Sequence, residues 1–542
     1  MYKVVDFFCG GGGFSEGFKL AGFEIIVAID KWQPAVTTHH ANHPNADTRQ
    51  DDVIRISNLP DEEFHELVLD SEVIIGSPPC TFFSNSNKSG KADKSLGVEL
   101  IESYLRIVAR KYIKKDSILK HWVLENVPNV FDYIKDKYTY KELGIDKEGT
   151  FQVKYPSSRV YNAKYFNVAS NRKRYFCGNF PEPEEIIKDD SDVRTINNIL
   201  SYIKEPNENL EEMIQDPNYD FKMKSKDIMD HHYIMEIADF EWKKAQRQKQ
   251  DKGYMGRMSF PENFDKPSRT VMATMSCSSR ESMIYPFIPD EERYRLPTVR
   301  EIACLMSYPL DYRFYGKSKS IKYKLVGNSV PPKMSFAIAK AIAIAITNNL
   351  ELPNKYQPIE FDDTKEDFKN LNGDIFHINI EKEKRPTAKF KYHIPYLIVN
   401  TFRVELTNKY SNFDNLNFKW NAEIHKSQGK TARTHVPKVD LNIINKEHKE
   451  VVKTFIKELQ KKIYNANNFQ NIYCQTDLKR KEENLFGPYE LLDSIKFFIE
   501  NNIDKKYYKE NIHIKNENIE IPYIILMGYY ILKESKKKFN KK

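Results

Sequence analysis

The 542-residue sequence lacks the segments that mark membrane and secreted proteins. It contains no run of about 18 apolar residues, the length that crosses a bilayer. Its first residues, MYKVVDFFCGGGG, lead directly into a predicted strand and a glycine-rich loop, without the regions of a signal peptide. We therefore expect a cytoplasmic protein.

Paired cysteines are also missing. The six cysteines are scattered without any C-x-x-C pair, which argues against a disulfide framework and against a structural zinc site. Cysteines without partners are typical of proteins in a reducing compartment. The six are Cys9, Cys80, Cys177, Cys277, Cys304 and Cys474.

A strong charge imbalance is absent as well. The 84 Lys and Arg exceed the 76 Asp and Glu by a formal +8, which permits a polyanionic partner without requiring one. The sequence does contain 40% hydrophobic and 30% charged residues, which is typical of a folded protein, and its mean hydropathy of -0.63 indicates a polar surface. A chain of this length is expected to form two or three domains.

Four predicted strands near the N-terminus end at residues that could bind a ligand. Ligands bind outside the carboxyl ends of strands in open α/β sheets, so these residues would share one crevice of a doubly wound α/β fold. The strand ends are the glycine loop of residues 10–13, then Asp30, Asp52 and finally Cys80.

The glycine loop lies between the strand of residues 4–8 and a helix from about Ser15 to Ala21. Glycines there let backbone approach a ligand, and the helix N-terminus supplies free N–H donors. The loop lacks the lysine of a phosphate-binding Walker sequence, which favours a cofactor that carries a carboxylate. The alternative is that the glycines only allow a tight turn and bind no ligand. Asp30, about 20 residues later, matches the spacing of ribose-hydroxyl recognition.

The turn Gly76-Ser77-Pro78-Pro79-Cys80 follows an apolar strand. Each proline fixes φ and removes a backbone donor, so the turn is stiff. Taken alone, Cys80 is typical of a small buried side chain at a strand end. The polar residues 81–97 that follow, with three lysines and two glycines, have the length and composition of a mobile lid.

A fifth predicted strand, residues 121–124, ends at Glu125, which could act as an acid or base or simply cap a helix. Arg172 and Arg174 come directly before the strand of residues 175–177. A period of two would place both arginines on one strand face, where they could hold a phosphate or a base carbonyl. An ordinary basic strand end is the alternative.

In chain order the sequence presents D-F-F-C-G-G-G-G, Asp30, Asp52, G-S-P-P-C, E-N-V, N-R-K-R and, at residues 327–332, G-N-S-V-P-P. This ordered set resembles the C5-cytosine DNA methyltransferase family of the bacterial restriction-modification type. The resemblance covers residue 1 to about residue 349 and leaves a C-terminal extension unmatched. It departs from the family at Ser170, where glutamine is usual, at Thr81, and at Trp32, one position later than the family's aromatic residue.

The resemblance implies a Rossmann-like methyltransferase fold with a doubly wound mixed sheet and a small recognition domain. Strand-like residues 396–399 and amphipathic stretches near 447–464 and 488–501 predict an α+β C-terminal domain. The resemblance also implies S-adenosyl-L-methionine as the cofactor. The residues that would bind the cofactor are Asp6, Phe7, Gly10, Gly12, Phe14, Asp30, Lys31, Trp32, Asp52, Val53, Pro78, Asn328 and Val330.

The resemblance further implies a reaction on double-stranded DNA. Cys80 would attack C6 of a cytosine flipped out of the duplex, Glu125 would act at N3, Arg174 would hold O2, and Arg172 would support the loop or a phosphate. The enzyme would modify the site of a possible cognate restriction endonuclease. Among the side chains expected to contact DNA are Ser84, Lys88 and Lys91 in the lid, Arg257 and Arg280 as guanine readers, and the basic run 243–250.

We divide the chain into a catalytic and cofactor-binding domain at 1–178, a recognition region at 179–294, a return to the catalytic domain at 295–350, a linker at 351–384 and a C-terminal domain at 385–542. For the C-terminal domain, extra DNA contacts or partner docking is the leading interpretation. A metal-dependent nuclease built from Glu405, Glu423, Lys426 and Asp440 is the alternative, although the usual acid-x-Lys spacing is absent.

Two other functions compete with the leading one. An RNA C5-cytosine methyltransferase would have a similar fold, but the large tail argues mildly against it. A catalytically silent DNA-binding relative is the second, and the presence of Cys80, Glu125, Arg172 and Arg174 argues against it.

Overall fold

The computed structural model describes residues 1–79, 83, 94–204, 209–232, 234–250, 258–277, 279–288, 292–347, 356–359, 383–427, 433–514 and 518–537. The chain divides into two compact units, Met1–Asn379 and Ile380–Lys542.

Strands and helices alternate through the first part of unit 1, as the hydrophobic pattern predicts. The first five strands, β1 to β5, are Lys3–Phe7, Glu24–Asp30, Asp47–Gln50, Val73–Gly76 and His121–Asn126. The first five helices, α1 to α5, are Gly13–Leu20, Gln33–Asn42, Val53–Ser57, Asp61–Leu67 and Ser95–Ile113.

Short strands follow before the recognition region. They are β6 (Lys137–Thr139), β7 (Thr150–Gln152), β8 (Arg159–Asn162), β9 (Ser170–Asn171) and β10 (Lys173–Cys177). A seven-stranded sheet has the order β3-β2-β1-β4-β5-β10-β8. Its first five strands are parallel, while β10 is antiparallel to both of its neighbours. The predicted doubly wound mixed sheet is confirmed.

Apolar residues cover both faces of this sheet. Side chains alternate along a strand, so Val5 and Phe7 of β1 enter one core cluster and Val4 enters the cluster on the opposite face. The strand order reverses between β1 and β4, which places the end of β1 beside the end of β4, with Phe7 opposite Gly76. Such a reversal is where ligands bind in doubly wound sheets.

In the described ranges, the rest of unit 1 consists of small sheets and further helices. Its strands are β11 (Met213–Gln215), β12 (Lys222–Lys224), β13 (Met235–Ile237), β14 (Ser268–Arg269), β15 (Tyr285–Ile288) and β16 (Arg293–Leu296). Its helices are α6 (Asn197–Ile203), α7 (Asp239–Gln250), α8 (Val299–Leu305), α9 (Lys319–Asn328) and α10 (Pro332–Thr347).

Helix α10 packs against α1, next to the glycine loop. The hydroxyl of Ser335 donates to the carbonyl of Phe14 at 2.6 Å, and a Cβ on Gly17 would lie 2.4 Å from Ser335 Cβ. The helical stretch Lys319–Thr347 is long and apolar enough to cross a membrane, and half of it is buried inside the protein. Its packing on α1 is that of a core helix.

Unit 2 combines an antiparallel sheet with helices. The strands are β17 (Lys391–Val399), β18 (Phe402–Thr407), β19 (Asn421–Lys426), β20 (Arg433–His435), β21 (Asn511–Ile514) and β22 (Ile519–Pro522). The helices are α11 (Lys449–Lys462), α12 (Ala466–Cys474), α13 (Asp477–Glu482), α14 (Pro488–Asn502) and α15 (Tyr523–Ser535). Strands β17 to β20 pair in sequence order, and α15 is buried at the centre of an apolar core.

Candidate active site

The glycine loop lies at the sheet reversal and is held by a distant part of the chain. The hydroxyl of Tyr312 donates to the carbonyl of Gly11 at 2.7 Å. A Cβ on Gly12 would lie 2.2 Å from that hydroxyl, and a Cβ on Gly13 would lie 2.2 Å from the carbonyl oxygen of Val330. Only glycine fits these contacts, which bring residues 308–330 against the loop.

Gly10 differs from the other glycines of the loop. Its φ is +53°, yet an added Cβ would meet no neighbour closer than 3.8 Å. Its amide donates to Asp30 Oδ2 at 2.9 Å. The open space above Gly10 leaves room for a ligand next to the N-terminus of α1, where backbone N–H groups favour a carboxylate.

Phe8 is an aromatic residue that sequence reasoning missed. It lies directly after β1, has a φ of +58°, and is only half-buried. Positive φ is uncommon for a bulky residue and clusters at functional sites. The predicted contacts Phe7 and Phe14 are instead buried among apolar neighbours: the Phe7 ring packs on Tyr104. The alternation of side chains along β1 turns Phe7 away from the loop, so the expectation that Phe7 lines the crevice is wrong.

Asp30 and Asp52 lie at neighbouring strand ends, as predicted. The Asp30 carboxylate accepts the amides of Gly10 and of Trp32, at 2.9 and 2.8 Å. Burial raises the pKa of Asp30, and these two amides oppose that shift. Asp52 caps α3 through the Ile54 amide.

Two cations complete this edge of the crevice. Lys31 Nζ binds Asp52 at 2.6 Å. Burial would raise the pKa of Asp52, but this bond and the cap outweigh it and lower the pKa. The Lys324 ammonium lies 4.6 Å from the centre of the Trp32 ring. Val53 and Val330 are buried, whereas Asn328 is exposed at the end of α9.

A buried polar chain supports the loop from below. The hydroxyl of Ser15 donates to Asp6 at 2.7 Å, and His39 bridges Ser15 and Thr48, each at 3.0 Å. Burial raises the pKa of Asp6 to about 8 and lowers that of His39 to about 3. Both groups are therefore mainly neutral at pH 7, which avoids an unpaired charge beneath the loop.

The turn before Cys80 is tied to its neighbours. The Ser77 amide donates to the carbonyl of Phe7 at 3.2 Å, and the Asn126 side chain donates to the carbonyl of Pro78 at 3.0 Å. Tyr104 leaves no space for a Cβ on Gly76. Five predicted site residues lie outside the described part of the chain: Cys80, Ser84, Lys88, Lys91 and Arg257.

Glu125 and Arg174 form a buried ion pair beside this turn, at 3.0 Å between Nε and Oε1. Glu125 follows Leu124, which pairs with Gly76 of β4, and Arg174 projects from β10. Burial raises the pKa of Glu125, while Arg174 opposes that shift. The structure thus brings together a carboxyl group with an elevated pKa and a guanidinium near the end of β5, the strand that pairs with β4, and β4 leads to Cys80.

Arg172 lies between β9 and β10, and its amide donates to the carbonyl of Ser170. Burial raises the pKa of Glu125, and the charges of Arg174 and Arg172 both oppose that shift, so a common face for the two arginines stays a prediction. The fully buried guanidinium of Arg172 donates to three backbone carbonyls. The acceptors are those of Val271, Gly327 and Ser329, at 3.1, 3.0 and 2.9 Å.

Replacing Arg172 with lysine should lower the stability of unit 1 by about 2–4 kcal/mol. An ammonium cannot reach three carbonyls at once, and each lost bond to a charged donor costs about 1.5–3 kcal/mol. Urea unfolding followed by circular dichroism measures the loss. Lys173→Arg on the exposed neighbour is the control and should change little; equal stability of Arg172→Lys and wild type would contradict the assignment.

In the recognition region, the prediction that Lys249 contacts DNA is wrong, and Arg280 already has a backbone partner. Lys249, in the basic run expected to follow phosphates, is fully buried, and its ammonium donates to the carbonyls of Arg280 and Ser282. Helix α7 turns this lysine inward, so it cannot contact DNA. Arg280, a predicted guanine reader, donates through Nε to the carbonyl of Gln248 at 2.6 Å.

In unit 2, Glu405 and Glu423 face each other across β18 and β19. His425 Nε2 lies 3.1 Å from Glu405 and 2.9 Å from Glu423. Asp440 caps a separate turn. Within the described ranges, no group of three or more His, Cys, Asp or Glu side chains could hold a metal ion.

With this geometry in place, the comparisons with known proteins identify the family. A family model described as C-5 cytosine-specific DNA methylase matches residues 2–343. The chain belongs to this family. The type II methyltransferase M1.HphI of Haemophilus parahaemolyticus is 30% identical over 357 residues, which cover 64% of this chain and 87% of the relative.

Two further similar proteins match shares of the chain of about the same size. M.MJ0563P of Methanocaldococcus jannaschii is 30% identical over 63% of this chain and 98% of its own length. The solved S. pombe Dnmt2 methyltransferase is 17% identical, covers 64% of this chain and 99% of its own, and has a TM-score of 0.42. The family match ends at residue 343, so unit 2 lies beyond it.

Proposed function

We propose that the protein transfers a methyl group from S-adenosylmethionine to C5 of a cytosine in double-stranded DNA, through a covalent adduct between Cys80 and C6. The observation that carries this proposal is the Glu125–Arg174 pair beside the turn that leads to Cys80. Family membership supports the same reaction class.

The crevice fits such a cofactor. Gly10 leaves open space above the loop, and the N-terminus of α1 suits a carboxylate. Asp30 would bind the ribose hydroxyls, Asp52 the adenine amino group, and Phe8 would contact the ligand where the backbone turns. The residues closing the crevice would include Lys31, Trp32, Asn328 and Val330. When bound, the cofactor supplies an electrophilic methyl group.

The chain's own residues carry the other steps. The Cys80 thiolate forms a bond to C6, which moves an electron pair of the C5–C6 bond to C5 as the ring accepts charge. Glu125, in its protonated form, donates to N3, and Arg174 holds O2. C5 would then take the methyl carbon as the bond between that carbon and the cofactor's sulfur breaks, which would leave the cofactor as a neutral thioether. A base, which we propose is bound water, removes the C5 proton, and elimination releases the Cys80 thiolate.

A cytosine within a duplex cannot reach Cys80, so the target base must be flipped out of the stack. The predicted lid, residues 81–97, would close over it. We further propose that the enzyme is the modification partner of a restriction endonuclease that reads the same site.

Transfer of label from tritiated S-adenosylmethionine tests the proposal. We expect the full-length protein to label duplex DNA and nucleoside analysis to find 5-methylcytosine. Structured RNA is the comparison polymer. Labelling of RNA in preference to DNA, or of neither polymer, would refute the proposal.

A further inference from the structure

The two units differ sharply in charge. Residues 380–542 contain 32 Lys and Arg against 20 Asp and Glu, a formal net charge of +12, which exceeds the +8 of the whole chain. Residues 1–379 therefore carry 52 basic against 56 acidic residues, a net charge of −4. The unit proposed to perform chemistry on DNA has no net attraction for a polyanion, whereas the unit outside the family match has a strong one.

Part of the positive charge of unit 2 lies on one helix, α11. Helix α11 contains five lysines and two glutamates. Three of its lysines, Lys453, Lys457 and Lys461, follow one another at intervals of four residues and are exposed. Each interval advances about 6 Å along the helix, so these three ammonium groups form a row on the solvent side.

The opposite side of α11 is fixed in the core. Val452, Ile456 and Leu459 are buried, and the Phe455 ring stacks on Phe498 at 4.2 Å. Gln460 also donates to the carbonyl of Glu534 at 2.9 Å. Because the apolar side is already packed, it cannot enter a lipid surface, and the lysine row stands on a rigid support.

The lysines of the row are available to a partner. In the described part of the chain, neither Lys457 nor Lys461 forms an ion pair, and the Lys453 pair is with Glu450, which is 81% exposed. An exposed ion pair of this kind contributes at most about 1 kcal/mol to stability, so Lys453 can exchange Glu450 for a phosphate at little cost.

We propose that α11 binds the phosphate backbone of duplex DNA through Lys453, Lys457 and Lys461, so that unit 2 anchors the enzyme on its substrate. Duplex DNA carries one negative charge per about 1.7 Å, so several phosphates lie within reach of the row. Lysine, a compact point charge, suits contacts that do not depend on sequence. This inference rests on the proposed action on DNA.

A triple substitution in the full-length protein tests the proposal: Lys453→Gln, Lys457→Gln and Lys461→Gln together. Binding to a fluorescent random-sequence duplex is followed by anisotropy at several salt concentrations. Each phosphate contact contributes about 0.9 to the slope of log affinity against log salt, so we expect the slope to fall by about 2.7 and affinity to fall at least about tenfold.

The matched control removes the same charge elsewhere. Lys147→Gln, Lys419→Gln and Lys505→Gln change three exposed lysines on separate elements and should leave the slope near that of wild type. An equal fall of the salt slope in both triple variants, or an unchanged slope in the α11 variant, would overturn the proposal. If the α11 variant lost more affinity for duplex RNA than for duplex DNA, the proposal would also be overturned.

Methyl transfer is measured separately on the same variants. If the α11 row serves only as an anchor, the KM for DNA rises and kcat at saturating DNA stays within about twofold. A fall in kcat with unchanged KM would contradict the anchoring role. Should wild type transfer no methyl group, the proposed function fails, while anisotropy still decides whether α11 binds DNA.

Discussion

Replacing Cys80 with serine is expected to reduce methyl transfer by about 10⁴-fold or more. A serine hydroxyl remains protonated at neutral pH, whereas a thiolate is a strong nucleophile. Removing the nucleophile of a covalent mechanism costs losses of this order. Single-turnover transfer to duplex DNA measures the effect, and DNA binding should remain near wild type.

Trapping on DNA that contains 5-fluorocytosine checks the same residue directly. Fluorine replaces the C5 proton, so the final elimination is blocked and the adduct should persist on denaturing gels. Cys474→Ser is the control cysteine, since its hydroxyl can still donate to the carbonyl of Arg385 as the thiol does at 3.3 Å. Retained trapping by Cys80→Ser would show that another residue is the nucleophile.

Glu125→Gln should lower kcat by about 10²–10⁴-fold, the usual contribution of a positioned general acid. Glutamine has the same shape but cannot give a proton to N3. The raised pKa of Glu125 keeps a larger fraction of its carboxyl group protonated than in an exposed glutamate, and the substitution removes this proton source. Adduct formation on 5-fluorocytosine DNA should slow in parallel.

The Glu125 substitution also leaves Arg174 facing a neutral group in a buried place, so stability must be measured beside activity. A folded variant with normal DNA affinity and low kcat supports the assignment. Glu102→Gln is the matched control, because burial raises the pKa of Glu102 as well. Unchanged kcat in a folded Glu125→Gln enzyme would eliminate Glu125 as the proton donor.

Much of the site follows from the order of strand ends in the sequence. Asp30 ends β2, Asp52 follows β3 and Glu125 lies near the end of β5, and parallel strands bring their carboxyl ends to one edge of the sheet. The doubly wound sheet and a common edge for these strand ends were therefore predictable. Local periodicity is enough to place such residues because each depends only on its own strand and its neighbours.

Contacts between distant parts of the chain were not predictable in this way. The Arg172 guanidinium donates to three carbonyls, two of them more than 150 residues away, and no local sequence pattern identifies these acceptors. The position of Lys249 was not predictable either, because tertiary packing buries this one member of a basic run. A ligand contact at Phe8 could have been inferred only from its place between the strand and the glycines.

The hydrogen bond from Tyr312 to Gly11 has a consequence for biosynthesis. The glycine loop leaves the ribosome about 300 residues before the tyrosine that supports it. At about 5–20 residues per second, this delay lasts roughly 15–60 s. Until these residues have been made, the loop has neither Tyr312 nor Val330 against it. Assembly of the crevice is therefore a late event, completed only when the last helices of unit 1 have been made.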